Sequence, residues 1–180
     1  MQRFVAGLLF VMCLLVMSAR AEDTWLTHDA YLRAAINDCL SADLDRTSCR
    51  HFPGKTLVRL FGIGDFCTER RCLRGVEIEW KLRHNPDKWR ALGAATSQAV
   101  LDEARALAME GKVVLAVHSK NDRGQVALVM PGAAVASGSW GLNVPIAVAA
   151  RVDEPKESVY GKGLSWIFSD PATVNLYVRR

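Results

Sequence analysis

The spacing of apolar residues changes at Gly111, and that change limits the fold more than any other feature of the chain. Ahead of it, Val100, Leu101, Ala104, Leu107 and Ala108 recur at helical spacing, so residues 97–110 read as an amphipathic helix that Gly111 stops. Behind it, residues 113–117 are apolar and largely β-branched, 120–123 form a polar turn, and 126–130 return as a second strand. Together they predict a β-hairpin over residues 112–131. Upstream, Leu32, Ala35, Ile36 and Cys39 form a helical stripe, and Pro53 suits the first turn of a helix ending at Gly62. A third helix is expected over 76–83, before the Asn85-Pro86 break. Downstream, short strands are expected near 133–137, 144–151 and 174–179. Helices first and strands second predict an α+β fold, with N-terminal helices packed on an antiparallel β-sheet.

The N-terminus carries an export pattern. Arg3, an apolar run over 4–17 and Ala19-Arg20-Ala21 before Glu22 read as a signal peptide over residues 1–21. A single domain then covers residues 22–180, expected in the periplasm or outside the cell. The apolar run falls short of the roughly 20 residues a spanning helix needs, and no second run follows, so no membrane span is expected in the mature chain. Removing Arg3 and Arg20 lowers the formal charge from +4 to +2. So mild a charge excludes nucleic acid as a partner and leaves only a loose attraction to anionic cell-wall polymer.

Four cysteines follow residue 21, at 39, 49, 67 and 72, and four allow three complete pairings. Two local disulfides are one reading, since each close pair flanks a short polar segment. A free Cys49 thiol is the other. The sequence holds no phosphate-binding loop, dinucleotide fingerprint or zinc-ligand spacing, and His28, His51, His84 and His118 are scattered. Neither a metal nor any other cofactor is expected.

A cysteine nucleophile needs an imidazole to take its proton and a polar group to orient that ring. Cys49, ahead of the Pro53 helix with a hairpin further on, fits that plan. Cys49 with Leu57-Val58-Arg59-Leu60-Phe61-Gly62 resembles the nucleophile segment of NlpC-type papain-like cysteine peptidoglycan amidases, a group that includes amidase effectors of type VI secretion. Trp89-Arg90-Ala91-Leu92-Gly93 and 111–117 are similar to the lead into that group's histidine strand. Gly124-Gln125-Val126-Ala127 resembles the strand itself, whose usual form is Gly-His-Val-Ala. Ser137-Gly138-Ser139-Trp140-Gly141 and 163–168 extend the likeness to the C-terminus.

The resemblance implies a papain-like fold and a protein directed at peptidoglycan or another cell-wall polymer, or docked on an envelope protein. It implies Cys49 as nucleophile, cleaving peptide stems by acyl transfer, and Ser137 or Ser139 as the orienting residue. Trp140 and Trp166 are candidates for lining a substrate groove. Gln125 stands in the histidine's place, and an amide neither takes nor gives a proton usefully at neutral pH. With 120–123 as the hairpin turn, His118 falls directly opposite Gln125 and so on the same side of the sheet, as a substitute base. Three function classes therefore remain: a cysteine peptidoglycan amidase or endopeptidase with its base moved, a non-catalytic binding or scaffold module on an enzyme fold, and, more distantly, a periplasmic inhibitor or immunity-type protein that uses its disulfides for rigidity.

Overall fold

The structure, a computed structural model, describes residues 28–41, 47–120 and 123–180. The expected signal peptide and the centre of the hairpin turn lie outside the described residues. Among the described residues no helix is long and apolar enough to cross a membrane. Leu32–Arg180 forms one compact unit.

Five helices carry the first half. Helix α1 covers residues 28–40 and buries Leu32, Ile36 and Cys39, the expected stripe. A single turn, α2 (Thr47–Arg50), precedes α3 (Phe52–Phe61). Pro53 sits in the first turn of α3, where its missing N–H costs nothing. Gly62 ends that helix in the left-handed conformation, with φ 65°, and its N–H reaches back to the Val58 carbonyl at 3.1 Å. Helix α4 (Gly75–Arg83) buries Ile78 and Leu82, and Glu77 caps its start by accepting the Arg74 N–H at 2.8 Å. Helix α5 (Gln98–Met109) follows strand β1 (Trp89–Ala94) and is the helix read from the spacing before Gly111.

The second half supplies the remaining strands: β2 (Val114–Lys120), β3 (Arg123–Val129), β4 (Val135–Ser137), β5 (Leu142–Val144), β6 (Ile146–Ala149), β7 (Val159–Gly163) and β8 (Val174–Arg179). Six form one sheet in the order β1-β8-β2-β3-β6-β7, antiparallel at every pairing. β4 and β5 form a separate two-stranded ribbon. Pro145 lies between β5 and β6; lacking an N–H, it cannot extend the ladder, and the chain changes sheets there. The expected α+β class with an antiparallel sheet is therefore what the chain forms.

The two faces of the sheet bury different sets. Val114, Ala116, Ala127, Val129, Leu176 and Val178 pack with Leu101, Ala104 and Ala108 of α5 in the main core. Small alanines on both partners let helix and sheet approach closely, and each fully buried leucine adds about 2 kcal/mol. The alternate residues Leu115, Val126 and Leu128 face Phe52, Pro53 and Leu57 of α3. A polar tie closes one end of the domain. Asp65 accepts from Lys88 Nζ and Trp89 Nε1, both at 3.0 Å, and pairs with Arg179 at 3.3 Å. Burial works against the Asp65 carboxylate, but these partners outweigh it and hold its pKa below the usual carboxylate value.

Candidate functional site

Cys49 lies within α2, one turn ahead of α3 rather than at its start. Its sulfur is bonded to Cys39 of α1, and both residues are buried. The second disulfide, Cys67–Cys72, closes a bridge whose Cα atoms stand 3.9 Å apart. It rests on α3 at Gly54, where an added Cβ would meet Cys67 Sγ and Cys72 Cβ at 2.9 Å. Of the three complete pairings open to the sequence, the fold makes the one with two local bonds.

Cys49 is on the wall of a cleft of about 450 Å³ that also takes in His118, Gln125, Phe168 and Thr173. The hairpin register is the expected one: His118 pairs with Gln125 and Ser119 with Gly124. His118 and Gln125 therefore share a side. Alternation puts that side with Ala116 and Ala127, the α5 face, whereas α3 covers the face of Leu115 and Val126. His118 thus lies on the α5 face of the hairpin, while Cys49 comes from the turn ahead of the helix on the other face, and both line the cleft.

His118 Nδ1 lies 3.3 Å from the Thr173 carbonyl, and its ring is 6.3 Å from that of Phe168. A carbonyl only accepts, so in the neutral ring this bond selects the tautomer with its proton on Nδ1 and its lone pair on Nε2. Thr173 is the orienting partner that sequence reading missed, since a backbone carbonyl leaves no residue-type signal. Gln125 is half-buried, and its amide donates to the Ala150 carbonyl at 3.2 Å and to the Val126 carbonyl at 3.3 Å. This is a structural cross-tie from β3 to the end of β6.

Ser137 and Ser139 are elsewhere. They sit on the β4–β5 ribbon, where their hydroxyls lie 3.3 Å apart and Ser137 Oγ accepts the Trp140 N–H at 3.2 Å. Neither lines the cleft. Trp140 is buried in the main core, and Trp166 is 70% exposed with Lys162 Nζ 5.7 Å from its ring centre. His51, between α2 and α3, has its pKa lowered first by burial and then by the charge of Lys55, and it does not line the cleft. His84 stacks on Trp80. Among the described residues no group of three or more His, Cys, Asp or Glu could hold a metal ion.

One wall of the cleft is set by a contact between glycines. A Cβ on Gly75 would collide with the Gly124 carbonyl, and a Cβ on Gly124 with the Val76 nitrogen. The α4 N-terminus therefore lies directly on β3, one residue from Gln125. Arg71 makes a fork to Glu77, with bonds of 2.8 and 2.7 Å, and fastens the same corner. That hydrogen bond from Arg71 is the main reason the Glu77 carboxyl titrates at about 2.

Three arginines line the cleft (Arg50, Arg74 and Arg151) against one acid, Asp153. No protein-family model matches the chain, and no curated protein sequence matches it.

Proposed function

We propose that this chain is an exported, non-catalytic binding module on the papain-like fold of NlpC-type cysteine peptidoglycan amidases, whose cleft holds a cell-wall peptide stem without cutting it. The observation that carries this reading is the Cys39–Cys49 bond on the cleft wall: a sulfur in a disulfide is not a thiolate and cannot attack a carbonyl. The amide of Gln125, engaged with the Ala150 carbonyl, supports it. Two disulfides are compatible with an extracellular setting and support the export reading.

Purified sacculi test the proposal. The mature protein should co-sediment with them and release no muropeptides by mass spectrometry, and Cys49→Ala should change neither result. Thiol counting in denaturant should find no free cysteine. Soluble products from wild type that vanish in Cys49→Ala would overturn the non-catalytic reading.

The Nδ1–Thr173 bond favours one second reading, an amidase active only when reduced. A dithiol would take up the Cys39–Cys49 bond, becoming a disulfide itself and leaving two thiols. His118 Nε2 would then accept the Cys49 proton. Products that require a dithiol, Cys49 and His118 together would select it.

A further inference from the structure

Resting on the reading of the cleft as a stem-peptide site, we infer that Arg50 reads a free carboxylate on the bound peptide. The three cleft arginines are not equivalent. Arg151 is committed to Glu154 at 3.0 Å and to Glu157 at 2.7 Å. Arg74 lies 3.5 Å from Glu77 and provides the backbone N–H that Glu77 accepts. Arg50, exposed at the end of α2, makes no ion pair with any described residue. Its guanidinium is a planar fork of donors that matches a carboxylate with two parallel bonds, which a hydrated ammonium would not.

Pro53, Val152, Ile167 and Phe168 add apolar surface to the same cleft. Cation and apolar wall together suit a ligand with a charged carboxylate and an aliphatic body, rather than a neutral sugar. Within a stem peptide that carboxylate belongs either to the C-terminus or to an acidic side chain. Both present the same group to Arg50.

Calorimetric titration of the mature, disulfide-bonded protein separates these cases. The probes are a synthetic stem tetrapeptide, its C-terminal amide, a version with the side-chain acid amidated, and an oligouronate. At low salt the free acid should bind about tenfold tighter than one of the amides, as a charge-assisted hydrogen bond gives, and which amide loses affinity identifies the carboxylate. Arg50→Gln should remove that difference, leave the amide's affinity unchanged and keep the thermal midpoint of wild type. Equal binding of acid and both amides, or a difference that survives Arg50→Gln, would sink the role of Arg50 while leaving peptide binding intact. Failure of every peptide to bind overturns both. Oligouronate binding without peptide binding also overturns both and assigns the cleft to a glycan.

Discussion

The two disulfides stand differently to the cleft: Cys49 lines it, and neither Cys67 nor Cys72 does. Cys39–Cys49 closes a separation of ten residues, is buried at both ends and ties α1 to α2 at the cleft wall. Cys67–Cys72 closes five, is half-buried and rests on α3 at Gly54, close to the Arg71–Glu77 corner. Loop-closure entropy assigns the two bonds similar worth, about 2.7 and about 2.1 kcal/mol. Their consequences differ because of what each touches. The first bond keeps the Cys49 sulfur of the cleft in a disulfide, whereas the second constrains a turn whose cysteines do not line the cleft. A disulfide's functional weight thus comes from its location more than from the loop it closes.

The comparison can be broken most forcefully at the wall. Gly124→Ala puts a Cβ into the backbone of α4, with no flexible atom to give way, and should cost about 4 kcal/mol in urea unfolding. Tolerance of that change would show that the Gly75–Gly124 contact does not set the wall. At the buried disulfide, Cys39→Ala with Cys49→Ala should lose about 3 kcal/mol while sacculus binding persists in the folded fraction. Loss of binding without loss of stability would give that bond a direct part in the site rather than in the fold.

Gly54→Ala is a smaller step. Its Cβ presses on the Cys67–Cys72 disulfide at 2.9 Å, a contact worth about 1–2 kcal/mol of strain. In a Cys67→Ala, Cys72→Ala background the cost should fall, because the Cys67 sulfur is gone; an unchanged cost would place the strain elsewhere.

The smallest effect is a pH dependence, because solvent around the exposed Arg71 screens its pair with Glu77. Glu77 titrates at about 2 when folded against an ordinary value of 4.5, chiefly through the Arg71 hydrogen bond. A depressed acid stabilises above its unfolded pKa, and that contribution fades as pH falls from 4.5 towards 2. Glu77→Gln should therefore match wild type near pH 2 and be less stable at pH 7. Equal stability at both pH values would mean the Arg71 fork contributes nothing to the wall.

Much of the fold was readable because its signals are local. Pro53 and Gly62 bracket α3, the apolar spacing marks α5, and the register that pairs His118 with Gln125 follows from turn length alone. The strands of the six-stranded sheet that sequence reading missed, β1 and β7, are its two edges. Each contains glycine in the left-handed range, Gly93 at φ 133° and Gly161 at φ 64°, and neither has a run of β-branched residues. Their strand character comes from long-range pairing, β1 with β8 and β7 with β6. Trp89 gave no strand signal, and it is buried against Phe66 and tied to Asp65.

The candidate site divides in the same way. Sequence alone determined that a cysteine precedes a proline-started helix, that the hairpin offers glutamine with a histidine across from it, and that four cysteines follow the apolar N-terminal run. Periodicity and residue type carry such information, and both are properties of neighbouring positions. Only the tertiary structure decided that Cys49 pairs with Cys39, that His118 is oriented by the Thr173 carbonyl, and that Ser137 and Ser139 stand apart from the cleft. It also decided which face of the hairpin His118 and Gln125 occupy. These outcomes depend on how α3 and α5 pack against opposite sides of one sheet, and packing joins residues whose separation along the chain leaves no trace in its local pattern.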